Sequence, residues 1–466
     1  MLVECDIAII GAGPAGMAAA RCATENGAHV ALLDEQPSPG GQIYRNILGV
    51  PDGLRALMGE DYSHGRALAE GLEIERLELI SGATVWHLDK EGTITFSVSG
   101  KARQLRADRV ILATGALERP VPIPGWTLPG VMTVGSAQIL LKSSDLAVEG
   151  AVLAGCGPLL YLVACQLIRA GCPPAALVET QDNSAYMRGF SHLAGAMRNA
   201  QTLTKGVAML GEIRRARVPR FTGATQLAVE GEIRAEGLSF VTNGHQQSVK
   251  SKSVLLHCGV VPNTQMTGAL RLEHTYDDNQ RCFRPVCDEW GVSSNPDFLI
   301  AGDGAGIGGA TAATIRGELS ALAALSALGL IDADARDEAA TPLESALHKE
   351  LAVRPFLDAL YAPPEEILQP ADDVTVCRCE EVSAGDIRSF AALGCAGPNQ
   401  AKAFGRPGMG PCQGRYCGPV VTEILARENG ATQGETGAFR VRSPIKPVSL
   451  GELASLAGET HSGHKA

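Results

Sequence analysis

The sequence predicts an α/β protein built on two doubly wound nucleotide-binding folds, followed by a small helical module that carries cysteines. Three observations point to that class. A glycine run, Gly11-Ala12-Gly13-Pro14-Ala15-Gly16, lies inside a β-α-β unit; a related run, Gly155-Cys156-Gly157-Pro158-Leu159-Leu160, recurs in the middle of the chain; and Cys377, Cys379, Cys395, Cys412 and Cys417 crowd together near the end. A length of 466 residues leaves room for roughly three domains, each with its own core.

The first unit reads as a short apolar strand at residues 6 to 10, the glycine run, a helix to Asn26, a stop at Gly27 and a second strand, HVALLDE. Its glycines have separate work: Gly11 permits the tight turn, Gly13 lets the backbone approach a pyrophosphate, and Gly16 lets helix press on strand. Pro14 and Ala15 open a helix whose free N–H groups face the phosphates. An acid closing the second strand should accept the ribose hydroxyls; Asp34 has the best spacing and Glu35 adjoins it.

Two more strands end in small residues. Residues 109 to 115 run into Ala113-Thr114-Gly115, and residues 297 to 304 into Gly302-Asp303. The pattern resembles the two-dinucleotide-binding flavoproteins of glutathione-reductase type, and the resemblance implies that Asp303 accepts a flavin ribityl hydroxyl while Gly304 to Gly309 approach the phosphates. Taken by itself, Asp303 also reads as a helix N-cap. In the central unit the third glycine is replaced by Leu160, which should push helix from strand and disturb a nicotinamide site. Gly155, Gly157 and Glu179 survive, so a bound nucleotide there stays open. No Cys-x-x-Cys lies near the flavin strands, so disulfide-reductase chemistry is not expected, and no catalytic base can be named.

In the cysteine module, Cys377-Arg378-Cys379 and Cys412-Gln413-Gly414-Arg415-Tyr416-Cys417 can bring four thiolates to one centre. Ser383 and Asp386 read as a capped helix start, and Gly418-Pro419 opens a helix to Glu428. Helix N-termini and loop N–H groups beside the sulfurs should favour thiolates. Three readings remain: a four-cysteine zinc site, which usually has pairs two to four residues apart; a chance group of buried cysteines; and a [2Fe-2S] cluster, which suits the flavin fold best. Cys395 reads as a packing residue. The spacing resembles the bacterioferritin-associated-ferredoxin-like (BFD-like) [2Fe-2S] domain, with a longer second pair.

The phrases LLDEQPSPGGQIYR (32 to 45), ATGALERPVPIPGWTLPGVMTVGSAQ (113 to 138), GCGPLL (155 to 160), CRCEEV (377 to 382) and GMGPCQGRYC (408 to 417) together resemble the FAD/[2Fe-2S] subunits of heteromeric amine dehydrogenases. That group includes the A-type component of opine oxidase, the B-type component of hydrogen cyanide synthase and the D-hydroxyproline dehydrogenase alpha subunit, and the alpha subunit of heterotetrameric sarcosine oxidase shares the flavoprotein half. The resemblance implies FAD held by the first fingerprint, with Gly41 and Gln42 also at the cofactor. It further implies a cluster on Cys377, Cys379, Cys412 and Cys417, and a D-amino-acid-oxidase (DAO)-like FAD-dependent beta subunit that oxidises the substrate. In some assemblies an FMN sits at the subunit interface and a small ferredoxin-like gamma subunit is present. A self-contained NAD(P)H-dependent FAD/iron-sulfur reductase is the alternative.

Implied boundaries are a first FAD-binding part at 1–147, a degenerate second nucleotide domain at 148–258, a return to the FAD domain at 259–330, a helical linker at 331–370, the cluster domain at 371–430 and an extended arm at 431–466. The arm has two prolines and little helical period in RVRSPIKPVSLGELA (440 to 454), and reads either as laid extended over the body or a partner, or as a disordered tail.

Composition limits the function classes. The chain carries 51 acidic against 40 basic residues, a formal charge of -11, the wrong sign for nucleic acid or an anionic membrane surface. No apolar run reaches the ~20 residues of a transmembrane helix. Thirteen cysteines in a long chain, with Met1 leading almost directly into a strand and no signal peptide, give the expectation of a reducing, cytoplasmic setting. The 54 glycines, well above the usual ~7%, fit tight turns and close ligand approach.

Overall fold

The computed structural model describes residues 3–460. Its first sheet has the order Leu77–Ser81, Val30–Asp34, Val3–Ile10, Lys101–Leu112, Thr93–Val98, Thr84–Leu88, with Phe298–Ile300 added in parallel beside the far end of Lys101–Leu112. The four innermost parallel segments bring Ile10, Leu33, Leu112 and Ile300 to one edge, and the loops that follow them converge there. This edge is where open α/β sheets bind ligands.

Helix Pro14–Glu25 presents Met17, Ala19, Ala20 and Ala23 to the core. Small side chains let helix Ala310–Ala327 cross it closely: a Cβ at Gly317 would fall 2.1 Å from the Ala15 carbonyl oxygen. The strand from the chain's start and the strand ending at Ile300 are thereby locked into one domain although nearly 300 residues separate them.

A second sheet orders Arg220–Phe221, Ala176–Glu179, Val152–Cys156, Val254–Cys258 and Val131–Thr133. Its central strands are buried along their whole length, as parallel strands covered on both faces are. Here the expected boundary at 147 needs correction. Val131–Thr133 pairs in parallel with Val254–Leu256, and helix Val134–Ser144 packs its Val134 and Ala137 into this second core. These elements lack any marker in the glycine pattern, so only the strand pairing reveals where they belong.

Helices Ala333–Leu351, Arg354–Leu360 and Glu365–Leu368 lead to the cysteine module, made of a short ribbon (Thr375–Cys377 with Val382–Ser383) and helices Ala384–Ala392, Pro398–Gly405 and Gly418–Glu428. Ser383 and Asp386 form a capping box, and Val420, Val421, Ile424 and Leu425 are buried in the module's core with Cys395.

The arm is ordered through the described residues and ends in a helix, Leu450–Thr460, where an extended segment was expected. Ser449 Oγ accepts from the Glu452 N–H at 3.2 Å while the Glu452 carboxylate accepts from the Ser449 N–H at 2.8 Å, a capping box that offsets the missing long-range period. Ser455 Oγ then accepts from the Ala102 N–H at 2.9 Å on the first sheet. Residues 461–466 of the expected arm lie outside the described residues. Among the described residues no helix is long and apolar enough to cross a membrane.

Candidate functional site

At the first fingerprint the glycines divide as their positions require. Gly11 has φ +108, and a Cβ there would fall 2.4 Å from the Ala113 oxygen; a Cβ at Gly16 would fall 1.8 Å from the Gly11 oxygen. Gly13 is different, because its Cβ would meet nothing nearer than Gly41 Cα at 3.8 Å, so its surface is left clear beside the start of the helix. Pro14 stands at that helix start and Ala15 lies against Gly302. Gly41 packs back to back on Gly13, and the Gly40 N–H donates to the Ala12 oxygen at 2.7 Å, which joins the two loops.

Asp34 is buried and accepts from the N–H of Ala12 at 2.6 Å through Oδ2 and from the N–H of Gln36 at 2.7 Å through Oδ1. Burial pushes its carboxyl up, against the pull of those two N–H groups. Glu35 points elsewhere and pairs with Lys446 of the arm. The Gln42 side chain is exposed, while its carbonyl accepts from a buried ammonium, Lys142.

Thr114 Oγ donates to the Asn263 carbonyl at 3.2 Å and the Asn263 N–H donates to the Gly115 carbonyl at 3.0 Å, so Ala113-Thr114-Gly115 is pinned at the junction of the two sheets. Asp303 Oδ1 accepts from the Gly308 and Gly309 N–H groups at 2.8 and 3.0 Å and closes the loop ahead of helix Ala310–Ala327. The cap-like role and a place at the cleft therefore coexist in one side chain.

Sequence reasoning passed over Lys142 and Arg45. Lys142 Nζ donates to the carbonyls of Gln42 at 3.1 Å and Ile43 at 2.7 Å and to Gln138 Oε1 at 2.9 Å, fixing the loop after Gly41; burial pushes its amine down to about 7. Arg45, on the same loop, keeps a buried Nε with no partner among the described residues and feels the charges of Asp34 and Glu35. A lysine in a helix of mostly apolar residues, VGSAQILLKSS, was the available signal.

The second fingerprint is filled by the chain itself. Glu179 is fully buried; Tyr161 OH donates to it at 2.5 Å and Arg220 grips it with two bonds of 2.9 Å. The His257 ring covers Gly157, where a Cβ would fall 3.0 Å from Nε2, and its Nδ1 lies 2.6 Å from Glu118 Oε1. The linker supplies the last pieces: the carbonyls of Tyr361 and Ala362 accept from Cys156 Sγ, and the Tyr361 ring lies 6.2 Å from that of Tyr161. Leu160 is fully buried in the core. A Cβ at Gly16 would fall 1.8 Å from the Gly11 oxygen, whereas the matching position here carries the Leu160 side chain, packed in the core of the second sheet.

The four cysteines arrive two and two. Cys379 Sγ lies 3.7 Å from Cys412 Sγ, close to the ~3.8 Å between two sulfurs on one tetrahedral metal with ~2.3 Å bonds. Cys377 and Cys417 are both buried in the module's core; the neighbouring Cys417 thiol, with help from the N–H groups of Gly408, Glu380 and Cys379, holds the Cys377 thiol down to about 6 against its burial, while Cys417 is pushed up. The expected net lowering falls on Cys377; Cys379 is pushed up by burial and by Cys412, against the pull of the Cys412 N–H. Among the described residues no three His, Cys, Asp or Glu side chains close on a single ion position. Gly410 passes directly over Cys379, 2.3 Å from its Cβ to a hypothetical Cβ.

The arm also shapes these loops. Phe439 lies against Gly408, Gly414 and Gly418, each of which would collide with or press on the ring if it carried a Cβ. Gln413 exchanges hydrogen bonds with Arg442 at 2.8 and 2.9 Å. Val441 and Ile445 then enter the core of the first sheet, so one strap holds the cysteine loops to the dinucleotide domain.

Residues 5–317 match the family described as pyridine nucleotide-disulphide oxidoreductase. The A-type component of the opine oxidase of Rhizobium meliloti is 45% identical over 97% of this chain and 87% of its own. The chain belongs to this oxidoreductase family, among the relatives of the opine oxidase A-type components. The hydrogen cyanide synthase component HcnB of Pseudomonas aeruginosa is 31% identical over 97% of this chain and 98% of its own. Residues 374–458 match the sarcosine oxidase A3 domain, a span that takes in the cysteine module and most of the arm. In fold, the crystal structure of L-proline dehydrogenase from P. horikoshii is similar, with a TM-score of 0.72 at 20% identity, covering 97% of this chain and 79% of that one. Among the described residues, Tyr161 and Arg220 engage the acid of the second fingerprint and His257 covers Gly157, while Cys377, Cys379, Cys412 and Cys417 lie in a module apart from the first sheet.

Proposed function

We propose that this chain is the FAD- and [2Fe-2S]-carrying electron-transfer subunit of a heteromeric dehydrogenase that oxidises the C–N bond of an opine, D-hydroxyproline or a related amino acid. The observation that carries the reading is the approach of Cys379 Sγ to Cys412 Sγ at 3.7 Å, with Cys377 and Cys417 buried in the same module on loops strapped to the dinucleotide domain; four thiols offered two and two suit a binuclear centre better than one zinc ion. Cys377, Cys379, Cys412 and Cys417 would hold the cluster. Gly11, Gly13, Gly16, Asp34, Gly41, Gln42, Ala113, Thr114, Gly115, Gly302 and Asp303 would hold FAD. The clear surface at Gly13 beside a helix N-terminus fits a pyrophosphate, and the carboxylates of Asp34 and Asp303 at the same sheet edge fit hydroxyl donors. What these groups supply when bound is electron storage and single-electron passage.

The chain's own residues bind, orient and exclude water; none is placed as a substrate base. Lys142 fixes the loop after Gly41, and Phe439 seals the cysteine loops. Substrate oxidation falls to a DAO-like beta subunit, with an FMN at the interface and a small ferredoxin-like gamma subunit in some such assemblies. The filled second site weighs against the NAD(P)H-reductase alternative.

Purified alone, the chain is expected to bind flavin and leave amino acids unoxidised; adding the partner subunit should start electron flow from opines or imino acids to an artificial acceptor. Turnover of an amino acid by the isolated chain overturns the proposal.

A further inference from the structure

The second domain presents a face that no other element among the described residues covers. Helix Asn183–Phe190 turns its small residues, Ala185 and Gly189, inward; a Cβ at Gly189 would lie 3.3 Å from Leu360. That leaves Tyr186 47%, Met187 77% and Phe190 72% exposed. Met197 (65%) and Val207 (71%), on the short turn and the helix Ala200–Arg215 that follow, are exposed as well, while Ile213 alone of that helix is buried in the core. Single exposed apolar residues are ordinary, but five within one 25-residue stretch mark a contact surface.

The charge there runs against the rest of the molecule. From Asp182, the N-cap of the first helix, to Arg217 stand Arg188, Arg198, Arg214, Arg215 and Arg217, with Lys205 paired to Asp61, against Asp182 and Glu212, on a chain whose total is -11. Glu212 is already gripped by Arg169 through two hydrogen bonds of 2.8 and 2.7 Å, so it subtracts little from the field outside. Exposed methionine and aromatic side chains among arginines are what protein interfaces collect.

We propose that the Asn183–Arg217 face docks an acidic surface of a second, different subunit, with Met187 and Phe190 as apolar anchors and the arginines as steering charges. This rests on the reading of the chain as one subunit of several. Lys205 reaches across to Asp61 of the first domain at 2.5 Å, so a partner seated here also touches the edge of the domain that carries the dinucleotide cradle.

The test uses the assembled complex, purified from the native host through a tag on this chain, and three variants of the full chain in the same background: Phe190→Ser, Arg198→Glu with Arg215→Glu, and Lys90→Glu on an exposed turn as the control. Phe190→Ser should weaken subunit association roughly tenfold or more. The double reversal should slow association roughly tenfold at low salt and flatten its salt dependence. Lys90→Glu should leave both unchanged. Amide hydrogen exchange should be slowed across 183–217 in the complex relative to the free chain. Assembly as tight as wild type in both face variants, with unprotected amides, overturns the docking face and leaves the subunit reading intact; a wild-type chain that recruits no second subunit overturns both. Self-association of the free chain that Phe190→Ser abolishes, or capture of the free chain by phosphatidylserine vesicles in place of the partner, would assign the face to a second copy or to a membrane surface and contradict the proposal.

Discussion

Two glycines three positions apart in the first fingerprint separate binding from folding. Gly16 has the Gly11 oxygen 1.8 Å from where a Cβ would sit, so Gly16→Ala should cost about 3 kcal/mol or more of stability and lower the yield of folded protein. Gly13 faces clear space, so Gly13→Ala should fold with an unchanged melting temperature yet retain much less flavin, which gel filtration followed by absorbance will show. Equal loss of stability in both variants would mean that Gly13 is packed as Gly16 is. Lys142 gives a pH signature. Its folded amine sits near 7 against ~10 for a free lysine, so between those values the unfolded chain binds the extra proton and stability rises with pH; below pH 7 the group is protonated in both states and adds no slope. In Lys142→Met that rise should flatten in melting curves taken from pH 7 to 10. The carbonyls of Gln42 and Ile43, left without their donor, should loosen the loop after Gly41.

At the scale of elements, the arm proves more structural than its composition suggests. Phe439 is buried against three glycines of the cysteine loops, and Phe439→Ala should destabilise the module by about 3 kcal/mol and expose Cys377 and Cys417 to alkylating reagents when no metal is bound. A melting curve and alkylation rates unchanged from wild type would contradict the strap. How much could be read beforehand depends on whether the signal is local. The glycine fingerprints, the Ser383–Asp386 cap, the helix opening at Gly418 and the packing of Cys395 are each written in a few neighbouring residues. The Ser449–Glu452 cap was equally local and went unread because the prolines before it dominate the segment. Phe439, Lys142 and Tyr361 act across 21 to 205 residues of sequence, and no short pattern announces a contact of that kind. The same holds for Val131–Thr133, whose sheet is set by a partner strand more than 120 residues away.

The whole molecule joins two dinucleotide folds, one open at its fingerprint and one closed by its own side chains, to a module that gathers four thiols. Glu179 held by Tyr161 and Arg220, and Cys156 bonded to the carbonyls of Tyr361 and Ala362, weigh against a nicotinamide nucleotide on the second fold. NADH and NADPH should therefore fail to bleach the flavin of the purified chain, and rapid bleaching by either would restore the self-contained reductase. The proposed division of labour asks for no substrate base here, and among the described residues the carboxylates of Asp34 and Asp303 are already engaged by backbone N–H groups, suited to grip hydroxyls more than to move substrate protons. The most direct measurement is the metal and sulfide content of the anaerobically purified chain, with electron paramagnetic resonance after dithionite reduction. Iron and acid-labile sulfide in equal amounts, a signal from a reduced binuclear cluster, and the loss of both in Cys379→Ser and Cys412→Ser but not in Cys395→Ser are expected. Zinc without iron, or a cluster that survives in Cys379→Ser and Cys412→Ser, would contradict the assignment of an electron-carrying subunit.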